Sequence, residues 1–104
     1  MQKELVNEFV KCIEKLMEQS DETDYVQDTK GRYLKVTYMK NLISEAQELI
    51  KYGEIEVALE NMLENLNEAS IFIDEETANL VRKAYGSEIS VGMEKVLDLL
   101  VKVS

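Results

Sequence analysis

The sequence predicts an all-α domain, a small bundle of four to five helices around a central αα-hairpin. Three observations lead there. Apolar residues recur at three- and four-residue spacing through most of the 104 residues. Gly53 and Gly86 fall where two of these periodic stretches stop, and there is no proline to break the others. A content of 45% hydrophobic and 32% charged residues is that of a globular chain rather than a disordered one. A chain of this length fills one core, so residues 1–104 are expected as a single domain.

The elements follow in order. In residues 2–18, Leu5, Phe9, Cys12, Ile13 and Leu16 form an apolar stripe, widened by Val6, Val10 and Met17. The next stretch, "SDETDYVQDTKGRY", is polar, acid-rich and marked by Gly31, and reads as a loop. A second helix over about 35–52 has Met39, Leu42, Ile43, Ala46, Leu49 and Ile50 on one face. Its start, "YLKVTY", also has the composition of a short strand, although no partner strand stands out in the sequence.

Gly53 is placed to end this helix in the left-handed conformation that suits glycine. The third helix, about 54–68, turns Ile55, Ala58, Leu59, Met62, Leu63 and Leu66 inward and closes an αα-hairpin with the second. Asp74 is placed as the N-cap of a fourth helix over about 75–85, with Glu75 and Glu76 at the positive end of its dipole. Gly86 ends it. Ser90 or Ser87 caps a last helix whose Val91, Met93, Val96, Leu97, Leu99, Leu100, Val101 and Val103 cover most of the circumference. A helix so apolar is expected at the centre of the bundle or in an oligomer interface.

Charge is distributed unevenly. Residues 1–51 have ten acids and eight bases, residues 52–81 eight acids and no base, and residues 82–104 three acids and four bases. Nearly all of the net charge of −9 therefore lies in one 30-residue block. Such a block repels nucleic acid and anionic membrane and attracts a basic partner at long range. An acidic surface that serves solubility alone has the same composition. No apolar run approaches the ~18 residues of a membrane span. The first residues, "MQKELVNEFV", are charged and periodic, unlike a signal peptide. The single Cys12 excludes an internal disulfide and a cysteine-based zinc site within one chain. A cytoplasmic, reducing location is expected.

Within the acidic block, "EIEVALENMLENLNEAS" places Glu56, Glu60, Glu64 and Glu68 in an unbroken i, i+4 series. Each like-charge pair of this kind costs an isolated helix about 0.2–0.5 kcal/mol. Relative to Ile55 the four fall at about 100°, 140°, 180° and 220° around the helix, so they wind across its solvent side. Val57 lies among them at about 200°, where the core gives it no reason to be apolar. An apolar residue ringed by acids is the kind of anchor that a charged interface uses. A plain solvated face, with one harmless exposed valine, fits the same residues.

Catalysis is not expected. Without histidine there is no imidazole base and no histidine-anchored metal site. Cys12 falls on the apolar side of the first helix and reads as a small core residue rather than a nucleophile. "DETDYVQDTKGRY" resembles a calcium loop in composition only, because Val26 stands at the sixth position from Asp21, where glycine is required. There is no glycine-rich phosphate loop. No cofactor or metal is expected.

The segment "LIKYGEIEVALENMLENLNEASIFIDEETANLVRKAYG" resembles the MafI-type immunity proteins of bacterial polymorphic and contact-dependent toxin systems. That pattern is a helix ending in Leu-Ile, then Gly-Glu, an apolar-Ala-Leu-Glu run, a leucine helix, an acidic tail and an Ile-x-Glu entry to another helix. The matching positions are Leu49, Ile50, Gly53, Glu54, Val57, Ala58, Leu59, Glu60, Leu63, Leu66, Glu68, Ile73 and Glu75. The resemblance as a whole covers roughly residues 42–86, under half the chain. The resemblance implies a stoichiometric inhibitor that blocks the active site of a cognate toxin domain, often a basic nuclease. The expected contact set is Glu56, Val57, Glu60, Glu64 and Glu68, extended by Asp74, Glu75 and Glu76. Glu60 and Gly53 also fit a role in the hairpin fold itself. The acids of the loop, Asp21, Glu22, Asp24 and Asp28, form the alternative docking surface.

Two other classes stay open. "KYGEIEVALENML" also looks like the hairpin of a tetratricopeptide-type adaptor, although solenoids generally need about three repeats. A homodimeric regulator joined through the C-terminal helix is the third reading.

Overall fold

The computed structural model describes residues 1–101. The first stripe forms α1 (Lys3–Glu18), which buries Val6, Phe9, Val10 and Ile13. Cys12 lies at the margin of that face, half-buried, beside a cleft of about 570 Å³ that Lys15, Asp74, Glu76 and Lys83 also line. It is therefore a flank residue rather than the core residue expected, because the centre of the stripe falls on Phe9 and Ile13.

The block expected to be a loop is a β-hairpin. Strand β1 (Tyr25–Gln27) pairs antiparallel with β2 (Arg32–Leu34), with Val26 opposite Tyr33. The turn is "DTKG": Asp28 accepts hydrogen bonds from the Lys30 and Gly31 amides at 2.8 and 3.1 Å, and the Asp28 amide donates to the Gly31 carbonyl. "YLKVTY" is thus divided, its first two residues completing β2 and the rest entering α2 (Lys35–Lys51). Only Val26 of the hairpin is buried.

Helix α2 ends as its glycine predicts. Gly53 has φ of 82°, its amide donates to the Ile50 carbonyl, and the Glu54 amide donates to that of Leu49. This paired closure turns the chain directly into α3 (Ile55–Glu68) and makes the αα-hairpin. Helix α3 closes in the same way through Ser70 and Ile71, whose amides reach the Asn67 and Leu66 carbonyls. Ser70 adopts φ of 53° there, a conformation that favours glycine.

Asp74 caps α4 (Glu75–Tyr85), accepting from the Thr77 amide at 2.8 Å. A 3-10 turn (Gly86–Glu88) follows, and Ser90, rather than Ser87, caps α5 (Val91–Leu100) by accepting from Met93.

Helix α2 packs between α1 and α3, α4 lies on α1, and α5 lies on α3. Phe9, Ile13, Met39, Leu59, Met62, Leu63, Leu66 and Leu97 are fully buried in one shared core. The last helix is less enclosed than its composition suggested. Met93, Leu97 and Leu100 are buried, while Val91 and Leu99 are 75% and 64% exposed. Val101 leaves the helix in extended conformation and bridges Ile73 in parallel, with the Ile73 amide donating to the Leu100 carbonyl at 2.9 Å. Val103, expected on the same helix, lies outside the described residues. No helix among the described residues is long and apolar enough to cross a membrane.

Candidate functional site on the third helix

The buried residues Ala58, Leu59, Met62, Leu63 and Leu66 fix how α3 sits. One flank meets α2: Asn61 donates to Glu45 at 3.4 Å, and the Tyr38 hydroxyl donates to the Asn65 carbonyl at 3.3 Å. The opposite flank holds Glu60, half-buried beside Tyr85 from the end of α4. Between the flanks runs an exposed ridge of Val57, Glu64 and Glu68, with Glu56 at its N-terminal end. Val57 is 48% exposed, as its angular position predicts.

Among the described residues, no lysine or arginine comes within 4.0 Å of Glu56, Glu60, Glu64 or Glu68. The three ion pairs among the described residues all belong to Arg82, which binds Glu75 at 2.9 Å, Glu94 at 3.4 Å and Asp98 at 3.6 Å. The expected contact set therefore separates into groups. Glu75 is held within its own helix by Arg82. Asp74 is occupied as a cap, and the Thr77 hydroxyl and amide beside it hold its carboxyl below the usual carboxylate range. Glu76 lines the cleft between α1 and α4, away from the α3 ridge.

The α3 series divides as well. Glu60, Glu56 and Glu64 act electrostatically on the Tyr85 hydroxyl, whereas Glu68 acts with Asp28 on that of Tyr38. Burial first, and then Asp28 and Glu68, push the Tyr38 hydroxyl up to about 12. Burial first, and then Glu60, Glu56 and Glu64, push the Tyr85 hydroxyl up further. Tyr85 is 8% exposed, and its hydroxyl oxygen is buried without a hydrogen-bond partner. Glu60 lies within hydrogen-bonding reach of this hydroxyl and helps to raise it, although the contact falls short of full hydrogen-bond geometry.

Sequence periodicity places Tyr85 on the inward face of α4 with Ala78 and Val81, but it does not tell which acids its hydroxyl would meet. In the alternative acidic surface, Asp21 and Asp28 are both engaged in turns. Asp21 accepts from the Thr23 amide and hydroxyl at 2.8 and 2.7 Å, which holds its carboxyl low. That leaves Glu22 and Asp24 as its exposed acids without such a turn.

The arrangement offers hydrogen-bond acceptors and negative charge around one exposed apolar side chain. No protein-family model, no curated protein and no solved structure matches the chain, so the site is read from its own residues.

Proposed function

We propose that this protein is a stoichiometric inhibitor that binds a basic protein partner through the ridge of α3 and performs no chemistry of its own. The partner suggested by the resemblance to MafI-type immunity proteins is a toxin domain, in the first place a nuclease, met in the cytoplasm. The observation that carries the reading is the row Glu56, Glu60, Glu64 and Glu68, unpaired among the described residues and centred on the exposed Val57.

A nuclease must hold a polyanion, so its cleft is basic. An acidic helix presented to such a cleft gains complementary charge and a fast association rate. Val57 supplies the apolar centre around which charged contacts are shielded from water. The repulsion along α3, about 0.2–0.5 kcal/mol for each neighbouring pair, is then relieved in the complex.

The test is co-purification from native cells, followed by expression of the recovered chain with and without this protein. A basic chain that is toxic alone and tolerated in the presence of this protein is expected. Recovery of self-associated protein only, or of a chain harmless when expressed alone, overturns the reading. A homodimeric regulator is the second reading, favoured by the exposed Val91 and Leu99 of α5. It predicts a dimer in solution that Leu99→Glu dissociates.

A further inference from the structure

The hairpin leaves one side of its first strand open. The Lys35 amide donates to the Asp24 carbonyl at 2.8 Å, and the Asp28 amide to the Gly31 carbonyl at 3.0 Å. Residues 24, 26 and 28 therefore turn their backbone groups toward β2, and by alternation those of Tyr25 and Gln27 point the other way. Among the described residues none of these four outward amides and carbonyls has a backbone partner. A cleft of about 380 Å³ borders the same strand. Asp24, Tyr25, Val26, Gln27 and Lys35 line it together with Ala69, Ser70 and Ile71, from the connection between α3 and α4. Val26, Ala69 and Ile71 are buried apolar residues, and no residue of the α3 row takes part.

Charge narrows the occupant. Asp24 and Asp28 stand at the two ends of β1, with Asp21 and Glu22 just before them. A second copy pairing antiparallel through its own β1 would set Asp24 of one chain opposite Asp28 of the other. Like charges directly opposite each other destabilise a strand pair, and charged ends are a common guard against edges that pair with themselves. The same acids favour a strand with bases at those two places. The residue opposite Val26 would lie on the same face as Val26, which suits an apolar side chain.

We infer that β1 is a docking edge for an extended segment of a protein partner, which adds as a third, antiparallel strand with an apolar residue opposite Val26 and basic residues opposite Asp24 and Asp28. The backbone groups of Tyr25 and Gln27 supply four hydrogen bonds, and the flanking acids select the partner. The edge is independent of the docking role proposed above for α3.

The probe is acetyl-Lys-Thr-Val-Thr-Lys-amide, titrated into the full-length isotope-labelled protein by NMR. An analogue N-methylated at both threonines has the same charge but lacks the two amides that would face β1. The parent peptide should give saturable shifts at residues 24–27 and 69–71 and slow hydrogen exchange at the Tyr25 and Gln27 amides. The methylated peptide should bind about tenfold more weakly, the loss of two hydrogen bonds. A peptide with glutamate in place of both lysines should not bind. Gln27→Pro removes one outward amide and no bond to β2, so it should weaken binding as well, whereas Val57→Ala on the α3 ridge should leave it unchanged. Equal affinity for the parent and methylated peptides, equal affinity for the lysine and glutamate peptides, or the lack of any saturable shift overturns the inference. So does protection of Tyr25 and Gln27 that rises with protein concentration without peptide, which would assign the edge to a second copy. If the peptide binds as expected but no toxic chain is ever recovered, the docking edge stands and the inhibitor reading fails. If a toxic chain is recovered and neutralised but the peptide does not bind, the edge fails and the inhibitor reading stands.

Discussion

Two acidic regions lie within the same 30 residues and are put to different uses. In the first turn of α4, Asp74 caps the helix and Glu75 binds Arg82, whose side chain also gathers Glu94 and Asp98 from α5. Asp74 and Glu75 thus serve their own helix, and Glu94 and Asp98 tie α5 to it through Arg82. On α3 the four glutamates repel one another, and among the described residues none has a cation beside it. Equal charge in the sequence thus conceals two populations, one employed by the fold and one left over from it. Acids that the fold does not use, kept in a row that opposes the helix, are the stronger candidates for a partner.

The sharpest way to break this contrast is charge reversal on α3. Glu60→Lys with Glu64→Lys should slow association with a basic partner by about tenfold or more at low salt, and the deficit should shrink as salt is added. Helicity by circular dichroism should not change, because neither side chain is fully buried. Stopped-flow mixing with the recovered partner reads the rate. An unchanged rate would move the interface off α3 and leave the leftover acids without a role.

The opposite test falls on the employed acids. Asp74→Ala should lower unfolding stability by about 1 kcal/mol through loss of the N-cap, measured by urea denaturation at neutral pH. Partner binding should stay intact. The Asp74 carboxyl titrates lower in the folded chain than in the unfolded one. Its stabilisation is therefore fully present above the unfolded value, near ~3.9. It is lost as the pH falls through the folded value, so the gap between wild type and Asp74→Ala should close in acid. A gap that persists at the lowest pH would mean that the carboxylate is not what stabilises α4.

How much of this was legible in the sequence depends on range. Asp74 as a cap and Gly53 as the end of α2 are decided within three or four residues, and the structure places each where local chemistry puts it, while it chooses Ser90 over Ser87, which the sequence left open. The helices were readable because their apolar period repeats several times. The hairpin was not, because strands of three residues with only Val26 buried give alternation no room to register. Arg82 illustrates the remaining gap. Its partner Glu75 lies seven residues away, and Glu94 and Asp98 come from another helix, so the division of the acids follows from packing rather than from spacing. Tyr85 was missed for the same reason, since no local spacing relates the end of α4 to the α3 glutamates that help to raise its hydroxyl.

The smallest expected effect is also the most direct measure of the contrast, because it is a difference of sign. Glu64 has like-charged neighbours one turn away on both sides, Glu60 and Glu68. Glu64→Gln removes both repulsions and should raise stability by about 0.5 kcal/mol. Glu75→Gln removes an attraction instead, a 2.9 Å pair that is largely exposed, and should lower stability by no more than about 1 kcal/mol. Both changes neutralise one glutamate on the surface of a helix, so general effects of net charge on the folded state act alike on the two and cancel in the comparison. Paired urea melts at low salt should show opposite shifts in midpoint, and both should contract toward zero in 1 M salt. Shifts of the same sign would mean that global charge, rather than local pairing, governs this surface. The row on α3 would then be no more costly to the fold than the acids of α4.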